Sequence, residues 1–312
     1  MKVIHNINDF PRELASAVSV GTFDGVHKGH QAIIRRMTDI AEQNGLVSVI
    51  LTFDPHPRYA LKKDDDKLKL LSTTAEKIAL LERAGVDYAV LINFSEEFAR
   101  ISYEEFIKDY LSDRLHARFI VIGFDHRFGS KRSGDHLKLI DSKEKYGFSV
   151  VEILAQNDDG SAISSTRIRK YIENQQVEQA NKLLNYTYSI GGTVVRGTNT
   201  GTKLGFPTAN LCVDDTCKLI PANGVYVVKV KIKNVFYYGM CNIGFKPTFE
   251  KQALTIETHI FDFNKDIYGQ YIRISFISFM RDEQKFEHIS LLKAQLEIDK
   301  QTIIKKINES RP

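Results

Sequence analysis

Apolar residues in the first half of the chain form short continuous runs that alternate with longer stretches of helical spacing. Short apolar runs are typical of buried strands, and a period of about 3.6 residues is typical of amphipathic helices. The predicted strands are Ala17–Val20, Val47–Phe53, Asp87–Ile92, Phe119–Ile122 and Phe148–Leu154. The predicted helices are Ala32–Met37, Thr74–Ala84 and Tyr103–Leu115. This alternation predicts an α/β fold with a parallel sheet and right-handed crossovers.

The pattern changes near residue 185, after which strands follow one another with turns and few helices. The predicted strands are Ile190–Val195, Gly224–Ile232, Phe236–Ile243, Thr255–Phe261 and Tyr271–Phe279. A last helical stretch covers 286–307, and its candidate buried positions are Leu291, Leu292, Leu296 and Ile303. Antiparallel strands in this number predict a small β-barrel closed by a C-terminal helix. We therefore expect two domains, 1–185 and 186–312, with the boundary between Leu184 and Ser189.

Composition fits a two-domain globular protein. The 312 residues suffice for two cores, and 43% hydrophobic with 26% charged residues is typical of globular chains. The net charge of +4 fits a phosphate-binding protein and equally one that binds no phosphate. No basic block resembles a nucleic-acid-binding tail. There is no apolar run of about 18 residues, so no membrane span is expected, and the first residues lack the apolar core of a signal peptide.

The cysteines indicate the redox compartment. Cys212, Cys217 and Cys241 are odd in number and lack CxxC spacing. This argues against both a disulfide framework and a zinc site. We therefore expect a reducing compartment, the cytoplasm.

A string of glycines, histidines and a lysine follows the first predicted strand, from Gly21 to His30. A helix begins directly after it, so backbone N–H groups and the positive end of the helix dipole face this turn. His27 and His30 are three residues apart and can share one helix face, where imidazole donates to phosphate oxygens. The pattern predicts a nucleotide-phosphate site. The alternative is that either histidine merely caps the helix or packs against it.

Two further polar strings follow strands directly, Asp54–Pro57 and Gly123–Gly129. Because parallel strands bring their carboxyl ends to one edge of a sheet, these strings and Gly21–His30 are expected to face one crevice. The prolines around His56 fix a rigid turn. This turn either presents His56 to a ligand or simply ends the strand.

A serine-rich string, Ile163–Arg169, precedes another predicted helix. Ser164 or Ser165 fits the N-cap position. The hydroxyls and the first N–H groups of the helix can hold a phosphate, and Arg167 can clamp it through two hydrogen bonds. An ordinary capped surface helix is the alternative.

The second half of the chain carries a glycine-rich segment from Gly192 to Asn210. It lacks the Walker A pattern but could still fold over phosphates. Thr208 and Asn210 are two residues apart, so in a strand they point to the same side, where their oxygens suit Mg²⁺. The alternative is a plain loop that enters a strand. Glu257 alternates with apolar residues in a predicted strand and is either a general base or an exposed carboxylate.

The strings GTFDGVHKGH, TFDPHP, GFDHRFG and ISSTRIR resemble the adenylyltransferase half of the bacterial bifunctional riboflavin kinase/FAD synthetase family. The resemblance implies a Rossmann-like nucleotidyltransferase domain that converts FMN and ATP to FAD and pyrophosphate. It implies that His27, His30 and Arg167 are catalytic. The implied nucleotide-binding residues are Gly21, Thr22, Phe23, Asp24, Gly25, His27, His30, Ser164, Ser165, Thr166 and Arg167. The implied flavin-binding residues are Pro55, His56, Pro57, Asp125 and Phe128.

The strings LGFPTANL, GVYVVKV, GMCNIGFKPTF, ETHIFDF and DIYG resemble the flavokinase domain of the same family. The resemblance implies that riboflavin and ATP give FMN and ADP, with Glu257 as general base on the ribityl 5′-hydroxyl. The implied ATP-binding residues are Gly201, Lys203, Thr208 and Asn210, of which Thr208 and Asn210 would hold Mg²⁺. Arg281 would lie near the flavin.

Two positions depart from the family pattern. His126 stands where the family often has an aromatic residue, and Thr202 stands where it often has arginine. The leading hypothesis is an enzyme that runs both steps, from riboflavin to FMN to FAD. Its small-molecule partners would be riboflavin, FMN, FAD, ATP, ADP and pyrophosphate, without nucleic acid or membrane. One alternative is that only one site is active, and another is a nucleotide-binding or RNA-binding regulator on the same fold. The sequence leaves the oligomeric state open.

Overall fold

The computed structural model describes residues 1–61, 68–124, 128–130, 133–197, 200–247 and 252–309. The chain divides into two compact units, Met1–Ser165 and Thr166–Pro312. This division precedes two helices that end at Leu184, whereas the sequence places the domain boundary after them. The boundary at residue 185 therefore stays a prediction.

A six-stranded parallel sheet forms the centre of the first unit. Its strands are β1 (Lys2–Ile4), β2 (Ser16–Val20), β3 (Val47–Phe53), β4 (Tyr88–Ile92), β5 (Ala117–Gly123) and β6 (Ser149–Ile153), and a separate hairpin consists of β7 (Asn157–Asp158) and β8 (Ser161–Ala162). The sheet order is β1–β4–β3–β2–β5–β6, with every neighbouring pair parallel. The parallel sheet is confirmed. The sequence pattern missed β1 because only Ile4 of its three residues is buried.

The helices of the first unit are α1 (Lys28–Gln43), α2 (Pro57–Ala60), α3 (Thr74–Arg83), α4 (Tyr103–Glu105) and α5 (His136–Tyr146), with single 3-10 turns at Ile7–Asp9 and Phe98–Arg100. Directly after α4 the chain continues as a π-helix over Phe106–Ser112, where the sequence predicts an α-helix. The N–H of Asp113 accordingly donates to the carbonyl of Lys108 at 2.8 Å, five residues back. In this wider helix the rings of Phe106 and Tyr110 stack with centroids 5.4 Å apart.

Apolar layers cover both faces of the sheet because successive strand residues point to opposite sides. On one face, Val18 packs in a cluster with Phe106 of the π-helix. On the other face, Ala17 packs in a cluster with Met37 of α1 and Leu81 of α3. With both faces of the sheet buried, its edge at the carboxyl ends of the strands is the place left for polar loops, and Gly21–His30 and Asp54–Pro57 both begin there.

A closed antiparallel barrel forms the second unit. Its strands are β9 (Ser189–Val195), β10 (Thr208–Cys212), β11 (Gly224–Ile232), β12 (Val235–Pro247), β13 (Gln252–Ile260) and β14 (Tyr271–Arg281). The barrel closes in the order β10–β13–β12–β11–β14–β9, with β9 paired to β10. The remaining helices before the last one are α6 (Ser165–Glu173), α7 (Val177–Leu184) and α8 (Thr200–Lys203). The predicted barrel is confirmed.

The C-terminal helix α9 (Ile289–Glu309) packs on the barrel through one stripe of side chains. Ile303 is fully buried beside Val227, and Leu292 and Leu296 are partly buried in the same cluster. The expectation for Leu291 is wrong, since its side chain is 51% exposed. Leu291 lies one residue from the stripe, which turns its side chain by about 100° around the helix.

Three further observations bear on the class of protein. Within the described ranges, no helix is long and apolar enough to cross a membrane. All three cysteines belong to the described part of the chain, and each is a free thiol. The same residues contain no group of three or more His, Cys, Asp or Glu side chains placed to hold a metal ion.

Candidate active sites

The loop between β2 and α1 has a strained backbone. Phe23, Gly25 and Val26 have φ angles of 48°, 78° and 37°. A positive φ is rare for a β-branched residue such as valine. The buried side chains of Phe23 and Val26 pack into the core and hold the loop in this shape. Such strain persists where the surrounding structure over-determines it, as at ligand sites.

His27 and His30 lie together at the start of α1. The Nδ1 atom of His27 caps the helix by accepting from the N–H of His30 at 3.4 Å. The two rings stack with centroids 3.7 Å apart and planes 17° apart. Burial, then His27, then Lys77 lower the pKa of His30 well below its usual value, so this imidazole is neutral at physiological pH. The Nδ1 atom of His30 is buried and has no hydrogen-bond partner among the described residues.

The buried carboxylate of Asp24 links the loop to the segment that leads into α3. Its carboxylate accepts from the N–H of Ser72 at 3.0 Å and from the N–H of Leu71 at 3.2 Å. The N–H of Gly25 donates to the Ser72 hydroxyl at 2.9 Å. These contacts hold the loop from inside. A direct contact of Asp24 with a nucleotide stays a prediction.

The serine-rich string meets the same loop within the first unit. The hydroxyl of Ser165 donates to the carbonyl of Asp24 at 2.9 Å. A Cβ atom at Gly29 would lie 3.7 Å from the carbonyl oxygen of Ile163 and 3.2 Å from the His27 ring. The structure therefore brings Ser165 and Ile163 close to the loop that carries the histidine pair.

Thr166 and Arg167 belong to the second unit. The guanidinium of Arg167 donates to the hydroxyl of Tyr171 at 3.1 Å, one turn further along α6. Thr166 is exposed and Ser164 is half-buried. The proposed roles of Thr166 and Arg167 rest on the family motif.

The predicted flavin residues of the first unit have different environments. The Nδ1 atom of His56 accepts from the N–H of Arg58 at 3.3 Å and caps α2, between an exposed Pro55 and a half-buried Pro57. The ring of Phe128 is buried in the core, 5.7 Å from the ring of Phe106. Asp125 and His126 lie outside the described residues.

Lys77 is a site residue that the sequence reasoning missed. Its ammonium donates to the Thr52 hydroxyl at 3.0 Å and to the Phe53 carbonyl at 3.1 Å. Burial lowers its pKa to about 8, against the opposite effects of Asp54 and Asp24. The available signal was a lysine on the apolar stripe of α3, one turn before Leu81.

The second site lies on one face of β10 and β13. Thr208 pairs with His259, and Asn210 pairs with Glu257, so all four side chains share a face of the sheet. The hydroxyl of Thr208 donates to the Glu257 carboxylate at 3.5 Å. The ring of His259 donates Nδ1–H to the carbonyl of Pro207 at 2.9 Å, since a carbonyl only accepts, and burial lowers its pKa. The alternation argument for these residues is confirmed by the register.

Two glycines allow the glycine-rich segment to lie close to β10. A Cβ atom at Gly197 would lie 2.3 Å from Nδ2 of Asn210, and one at Gly201 would lie 2.4 Å from the carbonyl oxygen of Phe206. The N–H of Phe206 also donates to the carbonyl of Gly201 at 2.8 Å. Gly197 and Gly201 therefore pack against the predicted Mg²⁺ ligands Asn210 and Thr208. Thr202 and Lys203 are exposed.

Arg281 anchors α9 to the barrel. Its guanidinium donates to the carboxylate of Asp299 at 2.6 Å, and Gln295 donates to the same carboxylate at 2.8 Å. The Asp299 side chain is 1% exposed and the Arg281 side chain 18% exposed. This structural role was not visible in the sequence, and the proposed flavin contact of Arg281 must coexist with it.

Asn242 and Glu283 are two further polar residues near Glu257 that the sequence reasoning missed. Asn242 on β12 pairs with Glu257 in the barrel register. Its side-chain amide donates to the carboxylate of Glu283 at 3.1 Å. A Cβ atom at Gly244 would lie 1.8 Å from this carboxylate, so a larger residue there would displace the Glu283 side chain.

The two sites define a class of protein. A strained loop with paired histidines at the carboxyl edge of a parallel sheet suits transfer of a nucleotidyl group. A carboxylate beside a hydroxyl and an amide, under a glycine-rich segment, suits transfer of a phosphoryl group to an alcohol. The chain is therefore a nucleotide-dependent transferase with two sites.

Comparisons with known proteins identify the family. The family model described as FAD synthetase matches residues 10–167, and the one described as riboflavin kinase matches residues 184–307. The chain is 39% identical over 293 residues to the bifunctional riboflavin kinase/FMN adenylyltransferase of Listeria monocytogenes, covering 93% of this chain and 91% of that protein. It is 37% identical to the Bacillus subtilis enzyme of that name, over 100% of both chains. The chain belongs to the bifunctional riboflavin kinase/FMN adenylyltransferase family.

A solved structure agrees with this fold over almost the whole chain. A Streptococcus pneumoniae protein described as a macrolide-efflux protein superposes with a TM-score of 0.89 at 36% identity, covering 97% of this chain and 98% of that one. The family assignment supports both activities, riboflavin kinase and FMN adenylyltransferase, over a single active site or a regulatory protein.

Proposed function

We propose that the first unit transfers AMP to FMN at the stacked pair of His27 and His30. A phosphate oxygen of FMN attacks the α-phosphorus of ATP, the bond to the bridging oxygen breaks, and pyrophosphate leaves with its electron pair. The observation that carries this proposal is the ring stacking at 3.7 Å beside the N-terminus of α1. The neutral imidazole of His30 and the N–H groups of the helix offer donors to charge that builds on the phosphates.

The other residues of this site position the reactants. The hydrogen bonds of the Asp24 carboxylate and of the Ser165 hydroxyl support a rigid nucleotide loop. Nucleotide contacts are further proposed for the remaining motif residues Gly21, Thr22, Phe23, Gly25, Ser164, Thr166 and Arg167. Flavin contacts are proposed for Pro55, His56, Pro57, Asp125 and Phe128 on the basis of the motif.

For the second unit, we propose that Glu257 is the general base of the kinase step. It takes the proton of the ribityl 5′-hydroxyl as that oxygen attacks the γ-phosphorus of ATP, and ADP leaves. The observation that carries this proposal is the shared face of Glu257 with Thr208 and Asn210. Gly201 and Lys203 are proposed ATP contacts, and Arg281 a flavin contact.

A magnesium ion fits the donor set of this face. The hydroxyl of Thr208 and the side-chain carbonyl of Asn210 are hard oxygen donors, and Mg²⁺ typically takes few protein ligands beside substrate phosphates and water. When bound, the ion would neutralise charge on the phosphates of ATP. A cytoplasmic location is also proposed, because the three free cysteines fit a reducing compartment.

Chromatography of the products from riboflavin, ATP and magnesium tests both assignments. Wild-type protein should give FMN and FAD. His30→Ala should form FMN from riboflavin but no FAD. Glu257→Gln should form no FMN from riboflavin and should still convert added FMN to FAD. Loss of both activities in either variant would contradict two separate sites.

A further inference from the structure

Lys77 is a buried cation at the edge of the sheet where the adenylyl-transfer site lies. Its side chain, from α3, is 6% exposed. The ammonium donates to the Thr52 hydroxyl at 3.0 Å, the Phe53 carbonyl at 3.1 Å and the Thr22 carbonyl at 3.4 Å. An ammonium has three N–H donors, so these bonds use all of them.

The three acceptors belong to the ends of two neighbouring strands. Thr22 follows β2, whereas Thr52 and Phe53 are the last residues of β3. The Thr52 hydroxyl donates in turn to the Thr22 carbonyl at 3.2 Å. Lys77 thus ties the start of the nucleotide loop to the strand that leads into the Asp54–Pro57 turn.

Packing alone does not explain a lysine at this place. Lys77 and Leu81 are the buried residues of α3, so an apolar side chain would suit the position. Burial of an ammonium is unfavourable, and the hydrogen bonds of this one run to neutral oxygens rather than to a carboxylate. The buried ammonium of Lys77 therefore indicates a role in the adenylyl-transfer site.

The charged and titratable groups that face Lys77 come from three elements. They are Asp24 after β2, Asp54 after β3 and His30 on α1. With a pKa of about 8, Lys77 is mostly protonated near neutral pH. Its charge adds to the effects of burial and of His27, which together lower the pKa of His30.

We propose that Lys77 is a positioning residue for adenylyl transfer, which fixes the ends of β2 and β3 and places a positive charge near His30. The proposal rests on the proposed role of His30. A displacement of about 1 Å in a positioned group can slow an enzyme by about 100-fold, so the strand ends must be held. A neutral His30 keeps one nitrogen as an N–H donor and needs no proton from solvent.

The test compares Lys77→Met with Arg83→Met in the full-length chain. Methionine keeps an unbranched side chain that is one atom shorter, and it removes the charge and the donors. Arg83 lies on the same helix with an exposed side chain, which makes it the matched control. FAD formation from FMN is measured against pH, and FMN formation from riboflavin is measured in the same samples. The pKa of His30 is measured by NMR titration, with its signal assigned through His30→Gln.

We expect Lys77→Met to lower kcat for FAD formation about 10- to 100-fold and to leave FMN formation unchanged. The pKa of His30 should rise, and the acid limb of the rate profile should move to higher pH. Arg83→Met should match wild type in every readout. A wild-type rate in Lys77→Met, an unchanged pKa of His30, or loss of both activities would overturn the proposal. A wild-type rate of FAD formation in His30→Gln would overturn the role of His30 itself.

Discussion

Replacement of Asp299 by asparagine removes the charge that holds Arg281 at the junction of β14 and α9. The variant keeps the shape of the side chain and leaves the guanidinium without a counter-charge at this position. Arg281 is then a cation whose side chain is only 18% exposed. Gln295 also loses the charge on the oxygen that accepts its N–H at 2.8 Å.

The size of the expected loss in stability follows from the burial of the Arg281–Asp299 ion pair. Loss of one partner of a buried ion pair costs about 3–5 kcal/mol, and the partial exposure of Arg281 places Asp299→Asn near the lower value. For a unit of this size, about 3 kcal/mol corresponds to a fall in Tm of about 10 °C. Calorimetry of the full-length chain measures this change. Hydrogen exchange of the 289–309 segment should accelerate, since the contact anchors α9.

A double variant separates stability from catalysis. Arg281→Met combined with Asp299→Leu removes both charges, and apolar replacement of a buried pair is often neutral for stability. We expect the double variant to be more stable than Asp299→Asn. The reasoning would be refuted if Asp299→Asn lowered Tm by less than about 2 °C. It would also be refuted if the double variant were less stable than Asp299→Asn. If Arg281 also contacts flavin, the folded double variant will show a raised KM for riboflavin, and an unchanged KM would remove that contact.

Three further predictions test particular contacts. Gly201→Ala should abolish FMN formation and spare FAD formation from added FMN, because its Cβ would lie 2.4 Å from the Phe206 carbonyl oxygen; equal product chromatograms would contradict this. Asp24→Ala should lower the free energy of unfolding by about 1–3 kcal/mol for each buried N–H left without an acceptor, and Asp24→Asn should lose less in the same urea titration. The unfolded state binds a proton at His30 more readily than the folded state, so stability falls as pH drops below about 6.5, by at most about 1.4 kcal/mol per pH unit. His30→Gln should weaken this acid dependence in urea unfolding, the exposed His5→Gln should keep it, and an equal effect of the two would contradict the assignment.

The fold could be predicted where local pattern determines it. The apolar runs of β2 and β3 are buried on both faces, and the central residues of β5 are buried as well, so the sequence pattern alone predicts these strands. The π-helix at Phe106–Ser112 could not be foreseen because its apolar spacing also fits an α-helix. Its rings contact residues outside the helix, Phe106 with Phe128 and Tyr110 with Phe98, and a local pattern does not reveal such contacts.

The candidate sites likewise contain some contacts that the sequence predicts and others that only the assembled fold reveals. The contact of His27 with His30 spans three residues and could be predicted from spacing. Lys77 reaches acceptors as far as 55 residues away, so its role appears only when the strands are assembled. The bond from Arg281 to Asp299 joins a strand to a helix after it, and no local motif marks that pair.

The strand order also determines where the protein is open to unwanted self-association. Among the described residues, the strands of the closed barrel leave no free edge, whereas the six-stranded sheet of the first unit ends at β1 and β6. β1 offers only three residues for pairing, which makes it a poor template. β6 is longer, but its exposed Glu152, which lies 3.5 Å from His136, places a charge on that edge. The charge of Glu152 therefore disfavours pairing of β6 with a strand of another molecule.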